Sequence, residues 1–248
     1  MGKLDETAKG VFTIAATPFL PDGALDLDSV DSMVDFYAER GATGLTILGI
    51  MGEAGKLSTG ESVAAIERVT ARTDLPVVVG VSAPGVAAIE ALAKTAMDKG
   101  AAGVMVAPPG SLRTDAQITS YFQLIAEVLG DTPWVLQDFP LVTGVQISPA
   151  VLLEIFRTCP TCVMLKHEDW PGLDKISALR AAEAGGARRV SILCGNGGQF
   201  LLEEMIRGAD GAMTGFAFPE MMADVVTAMQ TGDETRARDL FDAYMPLI

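Results

Sequence analysis

Eight short apolar runs rich in β-branched residues recur along the chain, and this repetition constrains the fold more than any other feature. The runs cover residues 11–18, 44–49, 77–82, 103–108, 134–137, 162–166, 190–194 and 211–215. The first and last runs begin 200 residues apart over seven steps, a mean spacing of about 29 residues, which is typical of repeated strand–helix units. Each run is apolar throughout rather than alternating, as expected for parallel strands covered on both faces.

The segments between these runs carry helical signals. Residues 27–39 place apolar side chains at three- and four-residue spacing, and Ser58-Thr-Gly-Glu61 is a capping box that assigns Glu61 to structure. Further helix ends and starts are predicted at Gly41, Gly100, Asp115 and Ser148-Pro149. Eight strand–helix pairs favour an α/β fold, the closed (β/α)8 TIM barrel. A doubly wound open sheet is the alternative.

Two regions are expected along the chain. Residues 1–218 form the barrel core, and residues 219–248 form the eighth helix and the start of a C-terminal helical region. A helix is predicted over residues 219–230 and another from Asp233. The apolar end from Tyr244 to Ile248 has no evident cap, so we expect this helical extension to be incomplete.

Composition excludes several classes of function. A formal net charge of −14 disfavours nucleic acids and anionic membranes as partners, since both require basic surface. No apolar run reaches the roughly 18 residues needed to span a bilayer, and the polar N-terminus resembles neither a signal nor a transit peptide. We therefore expect a cytoplasmic protein.

The cysteines predict buried, reduced thiols. Cys159 and Cys162 have CxxC spacing, but there is no second CxxC and the chain contains one histidine. A structural zinc site needs more ligands than these residues offer.

Lys166 is the side chain that points most directly to chemistry. Barrel active sites form at the carboxyl ends of the strands, and Lys166 ends the apolar run that begins at Cys162. Burial lowers the pKa of a lysine and makes the neutral amine available as a nucleophile for a Schiff base. The alternative is a lysine paired with Glu168 or Asp138 that holds the rim together.

Several motifs, in order along the chain, resemble the dihydrodipicolinate synthase and N-acetylneuraminate lyase family. They are Gly10-Val-Phe-Thr-Ile-Ala-Ala-Thr-Pro-Phe19, Gly49-Ile-Met-Gly-Glu53, Pro133-Trp-Val-Leu-Gln-Asp-Phe-Pro140, Leu165-Lys166 with Glu168, and Gly208-Ala-Asp-Gly211. The resemblance implies a class I aldolase barrel without a metal or other cofactor. It further implies that Lys166 forms the Schiff base, that the substrate is pyruvate or a related 2-oxo acid, and that the protein is a homo-oligomer, a dimer or tetramer.

The chain departs from that family's pattern at polar positions. The catalytic tyrosine falls on Gln137, and the threonine pair that helps to hold the substrate carboxylate falls on Ile50 and Met51. The tyrosine contributed by a neighbouring subunit lies where this chain reads Pro108-Pro-Gly-Ser111, and the arginine for a second carboxylate falls on Val142. Dihydrodipicolinate synthesis and sialic acid cleavage are therefore not expected.

The remaining residues predict a modified Schiff-base site. Asp138 or Glu168 is expected to shuttle protons, whereas strand alternation places His167 on the opposite side from Lys166. Gln137 and Thr17 are predicted to orient the substrate. Ile50 and Met51 are predicted to make part of the pocket apolar, and Gly52 and Glu53 to shape the pocket for the substrate carboxylate. Asn196 and Gly215 are predicted to line the opposite wall. The predicted reaction is an aldol cleavage or condensation, or a dehydration or hydration, of a 2-oxo acid.

Three alternatives remain open from the sequence. Glycine-rich segments at residues 195–198 and 211–215 suit a phosphorylated substrate, although no lysine or arginine accompanies them. Carboxylates at Glu53, Asp138, Glu168 and Asp169 suit a metal-dependent lyase. The third alternative is a barrel that binds or senses a 2-oxo acid without catalysis.

Overall fold

The computed structural model describes residues 2–170 and 172–248, and in it eight parallel strands close into a barrel in sequence order. Closure is made by β1, which pairs with β2 on one side and with β8 on the other. The predicted (β/α)8 barrel is therefore confirmed and the open sheet is not formed. The strands are β1 Gly10–Ile14, β2 Gly44–Ile47, β3 Val77–Gly80, β4 Gly103–Val106, β5 Trp134–Asp138, β6 Cys162–His167, β7 Ser191–Cys194 and β8 Gly211–Ala212.

Helices follow the strands around the outside of the barrel. They are α1 Leu27–Glu39, α2 Thr59–Arg72, α3 Val86–Asp98, α4 Asp115–Leu129, α5 Pro140–Thr143, α6 Pro149–Thr158, α7 Leu173–Ala184, α8 Leu201–Ile206, α9 Pro219–Gln230 and α10 Glu234–Tyr244. The predicted capping box is present at Ser58 and Glu61. Gly41 and Gly100 follow helix ends with φ of +88° and +92°, as predicted for left-handed C-terminal caps.

Two apolar cores separate the inside of the barrel from the layer beneath the helices. The inner core contains side chains such as Phe12, Val78, Met105, Val135 and Met164, all nearly inaccessible to solvent. The larger core lies between the sheet and the helices. The inner core fills the barrel with side chains, so a ligand is restricted to its carboxyl-terminal mouth.

The first and last strands are shorter than the apolar runs that predicted them. Strand β1 ends at Ile14 and β8 ends at Ala212, whereas the runs continue to residues 18 and 215. Single backbone bonds still extend the pairing, from Ala15 N to Thr46 O at 2.9 Å and from Ile14 N to Thr214 O at 3.0 Å. Beyond these bonds the chain leaves the sheet at the carboxyl-terminal end of the barrel.

The exit of β2 depends on close contact with a glycine of β3. Leu48 adopts a left-handed conformation with φ of +54°, which directs the following segment across the mouth. A Cβ atom at Gly80 would lie only 2.1 Å from the Leu48 carbonyl oxygen. Glycine at position 80 is therefore what allows the two backbones to pack together.

The cysteines agree with the prediction of buried thiols. Cys159, Cys162 and Cys194 are free and buried, and burial raises the pKa of the Cys194 thiol well above its usual range. No helix within residues 2–170 or 172–248 is both long and apolar enough to cross a membrane.

Replacing Gly80 by Ala should destabilise the fold, because the new methyl group meets backbone atoms that cannot rotate away. We expect the free energy of unfolding to fall by about 1–3 kcal/mol. For a chain of this size, each kcal/mol lowers the Tm by about 2–4 °C. Gly85→Ala is the matched control, since a Cβ there meets nothing within 4 Å. Equal Tm values for the two variants would contradict this account.

Candidate active site

Strand β6 directs Lys166 into the mouth of the barrel. Lys166 is paired in register with Gln137 of β5 and Leu193 of β7. Met164, two residues earlier on the same face, belongs to the inner apolar core. Because strand side chains alternate, Lys166 stands one layer above that core. It is 5% exposed, so its amine lies inside the mouth rather than on the rim.

Glu168 joins Lys166 and Gln137 through a single carboxylate oxygen. Its Oε2 atom lies 2.7 Å from Lys166 Nζ and accepts a second hydrogen bond of 2.7 Å from Gln137 Nε2. All three side chains are buried. Glu168 therefore lies on the same face as Lys166, as strand alternation requires.

The backbone around Glu168 holds its carboxylate in this position. The Glu168 amide donates to Asp138 O at 2.9 Å, and the Glu168 carbonyl accepts a bond of 3.0 Å from Asn196 Nδ2. A Cβ atom at Gly195 would lie 2.1 Å from Glu168 Cγ. Strands β5 and β7 thus fix Glu168 from both sides, and Gly195 leaves the room that its side chain occupies.

Burial and charge act on the Lys166 amine in opposite directions. Burial lowers the pKa of Lys166, while the Glu168 carboxylate favours its ammonium form and opposes that shift. Phe139 adds a weaker contact, with its ring centroid 5.9 Å from Lys166 Nζ. Because the net effect is a lowered pKa, a larger fraction of Lys166 is in the neutral, nucleophilic form than for an exposed lysine.

A cavity of about 320 Å³ opens beside Lys166. Its lining side chains and glycines are Ile14, Ile50, Met51, Gln137, Phe139, Lys166, Glu168, Asn196, Gly197, Thr214 and Gly215. A second cavity of about 440 Å³ shares Ile50 and Gln137 with the first and includes Ser82, Glu53 and Lys56 in its wall. The two cavities are adjacent, so a ligand at Lys166 has room to extend past Ile50.

The segment from Gly49 to Glu53 forms the apolar side of the mouth. Ile50 and Met51 remain 52% and 47% exposed despite their apolar side chains. Thr17 does not line the Lys166 cavity. Its hydroxyl instead donates a hydrogen bond of 2.5 Å to Gly52 O. Glu53 pairs with Lys56 at the second cavity. Within the segment from Gly49 to Glu53, only Ile50 and Met51 border the Lys166 cavity.

Asp138 is not brought to this cavity. Its side chain lies on the opposite face of β5 from Gln137, is fully buried and binds Lys175 Nζ at 2.6 Å. His167 also faces outward, with Nδ1 3.3 Å from Glu204 Oε2, as strand parity predicts. Of the two candidate proton carriers, Glu168 alone contacts Lys166.

The four carboxylates considered for a metal-dependent lyase do not converge. Asp138 and Asp169 both bind Lys175, whereas Glu53 binds Lys56 and Glu168 binds Lys166. Among the described residues there is no group of three or more His, Cys, Asp and Glu side chains suited to a metal ion.

Three residues near the site received no role from the sequence. Phe139 and Thr214 line the Lys166 cavity, and each follows the end of a strand, where barrel active sites form. Lys175 lies four residues before the buried Leu179 in α7. A lysine beside the buried apolar residues of a helix is a signal for a specific partner.

Comparison with known proteins identifies the family. A profile of the Dihydrodipicolinate synthetase family matches residues 7–248. The chain belongs to this family.

Named relatives within the family carry different activities. A crystal structure of dihydrodipicolinate synthase from Rhodopseudomonas palustris is 54% identical, with a TM-score of 0.97 over 100% of this chain and 83% of that one. A 4-hydroxy-tetrahydrodipicolinate synthase from Methanothrix thermoacetophila is 29% identical and covers 97% of this chain and 80% of its own. An L-2-keto-3-deoxyarabonate dehydratase from Azospirillum brasilense is also 29% identical, with coverages of 97% and 78%.

Replacing Glu168 by Gln should lower the pKa of Lys166 further, because the variant removes the charge that favours the ammonium form. The measurement is the rate of Lys166 acetylation by acetic anhydride, followed by peptide mass spectrometry across a pH series. We expect the half-maximal rate to move to lower pH in the variant. The exposed Lys94 provides an internal control, and a shift of Lys166 toward higher pH would contradict the assignment.

Proposed function

We propose that this member of the Dihydrodipicolinate synthetase family is a Schiff-base-forming lyase that acts on pyruvate or a related 2-oxo acid. The observation that carries the proposal is the buried Lys166 amine, 2.7 Å from the Glu168 carboxylate inside the barrel mouth. Its lowered pKa suits a nucleophile that must lose its proton. Membership of a family with a synthase and a dehydratase among its relatives supports the same class of reaction.

Glu168 is the proton carrier in this proposal. It accepts a proton from the Lys166 ammonium, and the neutral amine then attacks the carbonyl carbon to form a carbinolamine. Glu168 returns a proton to the carbinolamine oxygen, which leaves as water and produces the iminium ion. Gln137 cannot exchange protons at neutral pH, so its role is to hold the Glu168 carboxylate through the bond of 2.7 Å.

The iminium ion makes two types of bond cleavage accessible. It withdraws electrons from the neighbouring carbon, C3. When Glu168 accepts the proton of a C4 hydroxyl, the C3–C4 bond breaks, which releases an aldehyde and leaves an enamine. Alternatively, Glu168 accepts a C3 proton to give the enamine and returns it to the C4 hydroxyl, which leaves as water. Both routes, and their reversals, pass through an enamine on Lys166, and we propose this shared chemistry without choosing between them.

Backbone groups are proposed to bind the substrate carboxylate. The amides of Ile50 and Met51 donate to no backbone carbonyl or side chain in residues 2–170 and 172–248. Their side chains have no polar atoms, in contrast to the threonine pair that the family resemblance places at these positions. The carboxylate would therefore be held by these N–H groups, while the side chains make the adjoining wall apolar.

At two positions where the resemblance places groups of the synthase reaction, this chain has other residues. Gln137 stands where the resemblance places a catalytic tyrosine, and Val142 stands where it places an arginine for a second carboxylate. Val142 lies in α5 and is 56% exposed. The proposal is thus a lyase other than a dihydrodipicolinate synthase. The dimer or tetramer expected from the resemblance stays a prediction.

Replacing Lys166 by Ala should abolish covalent capture of a 2-oxo acid, since it removes the amine that forms the imine. The experiment incubates the protein with pyruvate or larger 2-oxo acids, adds borohydride and determines intact and peptide masses. Borohydride reduces the imine to a stable amine, so the wild type should gain one adduct on the Lys166 peptide. Lys94→Ala, at an exposed lysine, is the matched control and should retain the adduct.

The possible outcomes separate the proposal from the binding-barrel alternative. An undiminished adduct in Lys166→Ala would assign the chemistry to another residue. Reversible binding of 2-oxo acids to the wild type, without an adduct and without bond cleavage, would favour a barrel that only binds its ligand.

Replacing Ile50 by Ser should weaken capture of 2-oxo acids with apolar tails more than capture of pyruvate. Ile50 separates the two cavities, and each methylene group withdrawn from water contributes about 0.8 kcal/mol. We expect about tenfold weaker binding of 2-oxohexanoate, read from the concentration dependence of the borohydride adduct, with pyruvate little changed. Leu124→Ser, at an exposed leucine of α4, is the control. Equal losses for both ligands would contradict an apolar subsite.

A further inference from the structure

Lys175, like Lys166, is a buried lysine, and the chemistry proposed above gives it no role. It lies in the first turn of α7, and its ammonium is 2.6 Å from Asp138 Oδ2 and 2.8 Å from Asp169 Oδ2. Its side chain is 6% exposed and that of Asp138 is fully buried. A solvated surface pair would not have this burial, so the contacts need a structural or functional explanation.

The two carboxylates that Lys175 binds are sequence neighbours of the site. Asp138 directly follows Gln137, and Asp169 directly follows Glu168. Gln137 and Glu168 are the two residues that hydrogen-bond each other beside Lys166. Because adjacent residues share a peptide unit, fixing Asp138 and Asp169 from outside the barrel restricts where Gln137 and Glu168 can lie inside it.

Lys175 is the direct partner of Asp138 on this side of the sheet. The Asp138 Oδ2 atom accepts a hydrogen bond from Lys175 Nζ, and its buried Oδ1 atom has no hydrogen-bond partner within the described residues. The other titratable groups facing this region, His167 of β6 and Glu204 of α8, contact each other. Removing Lys175 would therefore leave the Asp138 carboxylate buried without a bonded cation.

We propose that Lys175 is a positioning residue, which holds Asp138 and Asp169 so that Gln137 and Glu168 stay aligned for proton transfer at Lys166. The inference rests on the proposed Schiff-base function. It assigns Lys175 an effect that operates through Glu168, without contact with the substrate. The amine of Lys175 itself is committed to two carboxylates behind the sheet, so it is not a second nucleophile.

Arg180 offers a control on the same helix. It binds Glu183 and Asp210 at 2.6 Å each, and Asp210 immediately precedes β8 at the amino-terminal end of the barrel. Arg180 is therefore a partly buried cation of α7 whose contacts lie away from the mouth. Its removal should destabilise the fold without changing the alignment of Glu168.

The test is a double-mutant cycle that combines Lys175→Met with Glu168→Gln. The readout is the initial rate of borohydride trapping with pyruvate. We expect Lys175→Met to slow trapping by about 100-fold, the order of loss that small misplacements of reacting groups cause. In the Glu168→Gln background the same change should slow trapping little further, because the group that Lys175 aligns is already inactive.

Arg180→Met provides the comparison for a purely structural effect. Its influence on trapping should be small, and whatever influence it has should multiply with that of Glu168→Gln. Two results would overturn the inference. One is a wild-type rate of trapping in Lys175→Met. The other is a double variant in which the losses of rate caused by Lys175→Met and Glu168→Gln multiply fully. If Lys175→Met does not fold, the cycle uses Lys175→Arg, which keeps the charge but displaces both carboxylates, and the same two criteria apply.

Failure of this inference is distinguishable from failure of the proposed function. Without any adduct on Lys166 in the wild-type protein, the Schiff-base proposal itself fails. If the wild type forms an adduct on Lys166 and Glu168→Gln slows its formation, the proposed function stands. The positioning role is then decided by whether the effect of Lys175→Met depends on Glu168.

Discussion

The contact between the Lys166 amine and the Glu168 carboxylate is the interaction around which the barrel mouth is organised. Burial above an apolar core favours the neutral amine, whereas the carboxylate favours the ammonium ion. A proton can pass between the two groups because they lie 2.7 Å apart. Hydrogen bonds from Gln137 to the Glu168 carboxylate and from Asn196 to the Glu168 carbonyl hold this residue in place.

Strand alternation connects this chemistry to the packing outside the barrel. Lys166 and Glu168 face the mouth, while His167 between them faces α8 and contacts Glu204. On β5 the same alternation separates Gln137, inside, from Asp138, outside. The ends of β5 and β6 therefore each carry a site residue and an outward residue. Helix α7, which packs on the outside, can influence the site through the outward residues without entering it.

The mouth of the barrel combines features set by the fold with side chains that the fold does not dictate. The framework of strands and the glycines that permit close backbone contact belong to the barrel itself. The side chains at the ends of β2 and β5 are less constrained by the fold, because they point into an open cavity. In this chain Ile50, Met51 and Gln137 line the cavity beside Lys166, and Ile50 and Met51 make one wall apolar.

The sequence by itself determined the eight strand–helix units, favoured the closed barrel, and placed Lys166 and Glu168 on one face of β6. Those features follow from local periodicity, because a strand places every second side chain on one face wherever the strand lies. Only the tertiary structure decided which partners the polar side chains meet. Asp138 binds Lys175 across 37 positions, and the Thr17 hydroxyl binds Gly52 O across 35. Such contacts depend on how α7 and the β2 exit pack against the barrel, and no pattern within a single strand or helix encodes that packing.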